Sequence, residues 1–120
     1  TGGNIEPLSG RLDFELENLN AGLVDEIQRK VNLEVEQDHP ISARILPRAE
    51  AEQIPDLIRT KINLLPTTLR EIRIVEIREL DLQADGGTHV HSTAEVGRIR
   101  IVKYKSKGRI NKRMQIELDP

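Results

Sequence analysis

The first segment with a clear hydrophobic pattern is residues 10–17, where apolar and charged side chains alternate. This period of two predicts a half-buried strand. In the next segment apolar residues recur at every fourth position, namely Leu23, Ile27, Val31 and Val35. That period predicts an amphipathic helix, which we expect to begin after Asn20 as its N-cap and to end before His39-Pro40.

Shorter apolar runs follow in the middle of the chain. Residues 41–46 predict a short strand, and Pro47 suits the first turn of a short helix that continues to Gln53, because a proline loses no needed hydrogen bond there. The prolines that bound residues 55–66 predict an irregular region. Residues 70–83 then predict a strand, with a bulge where the alternation slips.

The last part of the chain predicts a hairpin. Residues 98–103 and 113–118 both alternate apolar and polar side chains, and the glycine-containing segment 106–111 between them predicts the connecting loop. Few helices and several consecutive strands disfavour a parallel, doubly wound sheet. We therefore expect an α+β fold: a largely antiparallel sheet packed on one face against a long helix.

Length and composition limit the possible classes of protein. We expect a single domain over residues 1–120, because 120 residues are enough for one core and too few for two. The chain has one Phe and one Tyr, which argues against binding single strands by base stacking. It has no cysteine, which excludes thiolate metal ligands and a cysteine nucleophile and fits a cytoplasmic protein. No apolar run approaches the roughly 18 residues that span a bilayer, so no membrane partner is expected.

The charge is distributed unevenly along the chain. Residues 1–97 carry ten Lys and Arg against eighteen Asp and Glu, whereas residues 98–120 carry eight against two. Such a basic stripe suits a phosphate backbone, but it is also what a solvated strand face looks like, and charge does not decide between the two. The eight basic residues are Arg98, Arg100, Lys103, Lys105, Lys107, Arg109, Lys112 and Arg113.

The segment Asp85-Gly86-Gly87-Thr88-His89 combines metal-ligand chemistry with glycine flexibility. A carboxylate and an imidazole both bind metal ions, and the glycines would let the backbone bend so that the two groups converge. His91 is a possible third ligand. The alternative is a plain Gly-Gly turn between strands, with surface histidines. Two or three donors are few for a catalytic zinc ion, so these residues leave both readings open.

A resemblance to a known family bears on that choice. The run Gly86-Gly87-Thr88-His89, continued by residues 93–97 and 98–101, resembles the editing domain of alanyl-tRNA synthetase and looks closest to its free-standing relatives, the AlaX proteins. The editing domain of threonyl-tRNA synthetase is a more distant relation. Residues 106–108 and 112–117 are similar to the basic hairpin that closes those domains, and residues 10–16 look like the strand after the family's first metal motif.

The resemblance implies the fold of the threonyl- and alanyl-tRNA synthetase second additional domain. It also implies a zinc-dependent deacylase that hydrolyses the seryl or glycyl ester of mischarged alanine tRNA, with no DNA partner. In the family a His-x-x-x-His pair and a Cys-x-x-x-His pair hold the zinc. Asp85 stands at the cysteine position and His89 at that of the last histidine, and Gly86, Gly87 and Thr88 match residues of the substrate pocket.

The resemblance also implies roles for single residues. His89 and Thr88 are the implied catalytic residues. The implied contacts to the mischarged tRNA come from the basic hairpin, at Lys103, Lys105, Lys107, Arg109, Lys112 and Arg113.

The chain departs from the family pattern in two ways. Asp85 replaces a cysteine and is a harder ligand, more tolerant of other divalent ions. No His-x-x-x-His occurs in the sequence. We therefore expect the C-terminal portion of an editing domain, with catalysis a property of the full-length parent rather than of this chain alone. A non-catalytic tRNA-binding module and a purely structural domain are the alternatives, and the oligomeric state is open.

Overall fold

The computed structural model describes residues 2–57 and 69–119. Its helices and strands follow one another as β1 (Gly2–Glu6), β2 (Ser9–Glu15), α1 (Ala21–Glu36), β3 (Ile41–Pro47), α2 (Arg48–Ala51), β4 (Glu71–Ile77), β5 (Asp81–Ala84), a 3-10 helix (Thr93–Val96), β6 (Arg98–Ser106) and β7 (Asn111–Asp119). The chain divides into two compact units. We call residues 1–37 with 96–120 the terminal unit and residues 38–95 the central unit.

The terminal unit contains a four-stranded antiparallel sheet in the order β1-β2-β7-β6. β2 confirms the strand predicted for residues 10–17, and β6 with β7 confirms the C-terminal hairpin. Gly108 lies in the hairpin loop with a φ of 142°, which residues with a side chain rarely adopt. β1 is absent from the sequence-based prediction because residues 2–6 carry one large apolar side chain and show no alternation.

Helix α1 begins where the sequence predicts. The side-chain oxygen of Asn20 accepts a hydrogen bond from the N–H of Leu23 at 2.9 Å, as expected of an N-cap. The expected long helix is corrected: α1 has 16 residues, not far above the average for globular proteins. It stops because Asp38 turns into the left-handed region, with φ 54°, ahead of Pro40.

Two amide side chains of α1 pair with the edge strand β6. Asn32 accepts a hydrogen bond from the N–H of Ile99 and donates one to its carbonyl, each at 2.8 Å. One helical turn earlier, Gln28 accepts from the N–H of Ile101 at 2.7 Å. The helix thus gives β6 the partners that a neighbouring strand would otherwise supply, which protects this edge of the sheet.

The central unit contains a three-stranded antiparallel sheet in the order β3-β4-β5. One face is closed by a small aliphatic core, in which Ile72 and Ile74 of β4 pack with Ala51 and Leu57. Ile74 is fully buried, with 0% of its surface exposed. The strand predicted for residues 41–46 is confirmed as β3.

Three further predictions are corrected. The expected strand over residues 70–83 is a hairpin of β4 and β5, because Glu79 adopts a φ of 65° and reverses the chain. Pro47 does not lie in a helical first turn: its ψ of 142° is extended, and α2 behind it ends at Ala51. The expected single sheet is two sheets, since alternation identifies a strand but not its partner. Of the irregular region predicted for residues 55–66, residues 58–66 lie outside the described part.

None of the helices in the described residues is long and apolar enough to cross a membrane.

Candidate functional site

The loop that carries Asp85 and His89 continues directly from the central sheet. We call residues 85–92 the Asp85 loop. Ala84 is the last residue of β5 and lies opposite Ile74. The N–H of Asp85 then donates to the carbonyl of Arg73 at 3.2 Å, which extends the pairing of the two strands by one residue. Asp85 is therefore held by strand geometry at the point where the loop departs.

Within the loop, both oxygens of the Asp85 carboxylate are engaged. Oδ1 accepts a hydrogen bond from the N–H of Gly87 at 2.8 Å, and Oδ2 lies 2.7 Å from Nε2 of His89. The two side chains retain 33% and 28% of their exposed surface. A carboxylate and an imidazole that are four residues apart in sequence thus meet at a position open to solvent.

The glycines contribute differently from the sequence-based expectation. Neither Gly86 nor Gly87 has a positive φ, so the turn does not depend on left-handed backbone at either position. Instead, the hydrogen bond from Gly87 to the Asp85 carboxylate closes it, as in an Asx-turn. A Cβ on Gly87 would lie 3.2 Å from Oδ1 of Asp85, so a side chain there would require the carboxylate to shift by a few tenths of an ångström.

The surroundings of Asp85 favour its charged form. The N–H of Gly87 is the main cause of a lowered pKa, partial burial opposes it, and the contact with His89 and the charge of Arg73 add to the lowering. Asp85 is therefore ionised at neutral pH and offers a full negative charge beside the imidazole.

Arg73, which the sequence reasoning does not single out, holds the backbone of the loop. Its guanidinium nitrogen Nη1 donates to the carbonyls of Asp85 and Gly87, each at 2.8 Å. The signal in the sequence is an arginine between two isoleucines of a buried strand, Ile72 and Ile74. A charged residue at such a position needs a partner on the opposite face of the strand.

The far end of the loop is fixed by the segment before β3. The buried Thr93 donates its N–H to the carbonyl of His39 at 2.9 Å, and its hydroxyl accepts from the N–H of His39 at 2.8 Å. The N–H of Ile41 donates to the carbonyl of His91 at 2.9 Å. These contacts place His39 in a structural turn and use the backbone of His91, whose side chain is exposed.

The described residues provide an incomplete set of metal ligands. Asp85 and His89 are two donors in contact, which suits two neighbouring positions of one divalent ion. No group of three or more His, Cys, Asp or Glu in the described ranges is close enough to hold a metal, so His91 does not complete the set. A catalytic zinc usually takes three protein ligands. The pair therefore fits part of a zinc site but not a whole one. The Thr88 side chain is exposed beside it.

Two of the basic residues near the C-terminus are paired with carboxylates. Arg113 forms an ion pair with Asp13, with Nε 2.6 Å from Oδ1. That hydrogen bond is the main cause of a lowered pKa of Asp13, and the charge of Lys107 contributes to it. Arg100 is likewise paired, with Asp119 at 2.7 Å and with Glu117 at 3.1 Å.

Lys112 is buried, with 5% of its surface exposed. Its ammonium group donates to the carbonyls of Gly108 at 3.1 Å and Arg109 at 2.9 Å. Both carbonyls belong to the hairpin loop between β6 and β7, so the Lys112 charge is used inside the terminal unit and ties that loop to its own strand.

Four cations in the half of the hairpin nearest its loop remain exposed and have no carboxylate within 4.0 Å among the described residues; Arg98, at the other end of β6, is exposed as well. In the β6–β7 register, Lys103 lies opposite Gln115, and Lys105 lies opposite Arg113. The exposed surface of the hairpin is therefore strongly positive and open to an anionic partner. We call these four residues the cationic hairpin surface: Lys103, Lys105, Lys107 and Arg109.

The Asp85 loop and most of the hairpin lie in a part of the chain that is similar to known proteins. Residues 72–115 match the family described as the threonyl and alanyl tRNA synthetase second additional domain. The chain is similar to the alanyl-tRNA editing protein AlaX-M of Saccharolobus solfataricus, with 36% identity over 100% of this chain and 50% of the relative. It is similar to the AlaX-M protein of Methanosarcina acetivorans, with 31% identity over 98% and 48%.

A third relative is an aminoacyl-tRNA synthetase. The alanine–tRNA ligase of Methanococcus maripaludis is 36% identical over 86% of this chain and 11% of its own length. The chain spans about half the length of the AlaX-M relatives that it matches. The part of the chain that holds the Asp85 loop and most of the hairpin therefore matches the threonyl and alanyl tRNA synthetase second additional domain, and the chain is similar along its length to proteins named as alanyl-tRNA editing proteins.

Proposed function

We propose that the complete gene product containing this chain is an alanyl-tRNA editing enzyme, an ester hydrolase that removes serine or glycine from mischarged alanine tRNA. The observation that carries the proposal is the contact between Asp85 and His89, at 2.7 Å, within the part of the chain that matches the editing family. The turn uses one oxygen of the Asp85 carboxylate, but it does not need an imidazole held against the other oxygen at a solvent-open position.

The proposal includes zinc as the metal. Asp85 and His89 would supply two of its ligands, and the other ligands would come from outside the described residues. When bound, zinc polarises an ester carbonyl or activates a water molecule, so that hydrolysis needs no protein nucleophile. The lowered pKa of Asp85 supports this role, because a ligating carboxylate has to be ionised.

The residues between the two ligands would form the wall of the substrate pocket. The backbone at Gly86 leaves space beside the carboxylate, since no described atom beyond its two chain neighbours lies within 4 Å of a Cβ built there. The exposed hydroxyl of Thr88 is free to contact the aminoacyl ester. We assign Thr88 and His89 as the catalytic residues of this chain.

The tRNA partner would bind through the cationic hairpin surface. Its four side chains are exposed and without a carboxylate partner in the described part of the chain, which suits contacts to phosphates. Lys112 and Arg113 would support this surface through their contacts to Gly108 and to Asp13. In this proposal residues 1–120 form one domain, the C-terminal part of an editing domain, in a cytoplasmic protein.

The test is hydrolysis by the complete gene product. Alanine tRNA charged with serine, with glycine or with alanine is incubated with the purified protein, and release of the amino acid is followed. We expect release of serine or glycine, retention of alanine, and loss of release after removal of the metal by a chelator. Saturable tRNA binding without release of any amino acid would contradict the proposal and would identify a binding module instead.

A further inference from the structure

We infer that Arg73 is the positioning residue that sets the geometry of the Asp85–His89 pair. Its consequence for hydrolysis rests on the proposed function, but its structural content does not. Arg73 lies on β4 opposite Asp85, whose N–H donates to the Arg73 carbonyl at 3.2 Å. The side chains of Arg73 and Asp85 therefore project from the same face of the sheet.

A single nitrogen atom of Arg73 spans the Gly-Gly turn. Nη1 donates one hydrogen bond to the carbonyl of Asp85 and one to the carbonyl of Gly87, each at 2.8 Å. Because both hydrogens belong to one atom, the separation of the two carbonyls is fixed. Gly86 lies between them, and no described atom beyond its two chain neighbours comes within 4 Å of the place where its Cβ would be, so its position depends on the backbone.

The backbone position that Arg73 fixes determines how the Asp85 carboxylate is oriented. Fixing the Gly87 peptide aims its N–H at Oδ1 of Asp85, which lies 2.8 Å away. With Oδ1 so occupied, the other oxygen, Oδ2, is turned toward Nε2 of His89 at 2.7 Å. Arg73 touches neither of the two side chains at their functional atoms, yet each step that orients them begins at its guanidinium group.

The planar guanidinium group is suited to this task. It presents donors in a fixed fork on a rigid plane, whereas a lysine ammonium group is strongly hydrated and sits on a flexible stem. Arg73 also lies between two buried isoleucines, Ile72 and Ile74, which hold its strand in place.

The structural test is amide hydrogen exchange in this chain, measured by NMR at Gly87. In Arg73→Met we expect exchange at least about tenfold faster than in the wild type, since an opening cost of about 1.4 kcal/mol corresponds to a factor of ten. Arg44→Met is the matched control, because Arg44 pairs with Glu76 on the same sheet and makes no hydrogen bond to the loop. It should leave Gly87 exchange unchanged. Equal Gly87 exchange in the wild type and Arg73→Met would overturn the inference.

The functional test uses the complete gene product. Loss of an outer residue that orients metal ligands typically lowers metal affinity or activity about 10- to 100-fold. We expect Arg73→Met to raise the zinc dissociation constant and lower kcat by such a factor, with KM for the tRNA unchanged. Arg73→Lys should recover part of both, and it replaces Arg73→Met if the latter does not fold. A fall in both kcat and urea midpoint that Arg44→Met reproduces would overturn the positioning role.

The two possible failures are distinguishable. If the wild-type gene product releases no serine or glycine but Gly87 exchange is faster in Arg73→Met, the proposed function is excluded. The positioning role of Arg73 then remains intact. Normal hydrolysis, with Gly87 exchange and kcat unaffected by Arg73→Met, would exclude the positioning role of Arg73 and leave the proposed function intact.

Discussion

In the central unit, the Asp85 loop stands on a sheet whose buried face is aliphatic, with Ile72 and Ile74 against Ala51 and Leu57. In the terminal unit, the sheet that carries the cationic hairpin surface buries fewer apolar side chains and relies more on polar contacts. The ammonium group of Lys112 is buried there, and amide side chains of α1 pair with the edge of β6.

The difference shows how each unit keeps charged groups available for a partner. In the central unit apolar packing fixes the strands, and a single arginine bonds two carbonyls at the start of the loop. Asp85 and His89 stay half-open. In the terminal unit the cations fall into two groups, one with internal contacts and one exposed. Lys112 and Arg113 are used for internal contacts, while Lys105 and its exposed neighbours remain available.

The largest expected effect is on the apolar core of the central unit. Ile74→Ala should lower the free energy of unfolding by about 2–5 kcal/mol, because it leaves a cavity at a fully buried position. Ile45→Ala, on the neighbouring strand β3 with 62% of its surface exposed, is the matched control and should change stability by less than about 0.5 kcal/mol. Urea unfolding followed by circular dichroism measures both. Equal losses would mean that this core does not fix the central sheet.

The next effect concerns the polar contacts that hold the terminal unit together. Asn32→Ala should cost about 1–3 kcal/mol, because the N–H and carbonyl of Ile99 both lose their partner. Arg29→Ala, on the exposed side of the same helix, is the control and should be nearly neutral. The same urea experiment applies. A neutral Asn32→Ala would show that water replaces the amide at this edge without cost.

A smaller effect separates the exposed cations from the internal ones. If the cationic hairpin surface binds tRNA, Lys105→Ala should reduce the slope of log affinity against log salt by about one. Lys112→Met should leave that slope unchanged, because the Lys112 ammonium is already bonded to Gly108 and Arg109. Titrations of tRNA at several salt concentrations measure both slopes. Equal slope changes would place Lys112 on a phosphate rather than inside the loop.

The smallest expected effect is a dependence of the free energy of unfolding on pH in the acid range. The hydrogen bond from Arg113 holds the pKa of Asp13 below its ordinary value of 3.8. The stabilisation from this pair is therefore fully present above pH 3.8 and is lost as pH falls through the lower pKa of the folded state. The stability difference between wild type and Asp13→Asn should be constant near neutral pH and shrink in acid.

The control for this acid effect is Asp13→Asn in an Arg113→Met background, which removes the main cause of the shift. Urea unfolding at a series of pH values should then show a smaller pH dependence. A pH dependence as large as that measured with Arg113 in place would exclude this ion pair as its origin.

Local patterns predict much of the secondary structure. The four-residue repeat and Asn20 locate α1, and alternation locates β2, β6 and β7, because each signal depends on neighbours in sequence. The pairing of strands does not follow from such signals. The turn at Glu79 and the division into two sheets depend on backbone conformation and on partners distant in sequence.

In the candidate site, too, some features follow from local sequence patterns and others depend on partners distant in sequence. The motif suggests that Asp85 and His89 converge, since four residues with two glycines allow it. Arg73 precedes Asp85 by twelve residues and reaches it only through strand pairing, so its position between two isoleucines indicates that it needs a partner but not which residue that partner is. Lys112 resembles its basic neighbours in sequence, and only its burial under the hairpin loop sets it apart.

The most direct test of the Asp85 loop as the reactive site is single-turnover release of serine from mischarged alanine tRNA by the complete gene product carrying His89→Ala. His91→Ala is the matched control, because its imidazole is exposed and its contribution to the fold is a backbone carbonyl. We expect His89→Ala to abolish release, and we expect His91→Ala to release serine at the wild-type rate. Wild-type release by His89→Ala would contradict the assignment of the Asp85 loop as the reactive site.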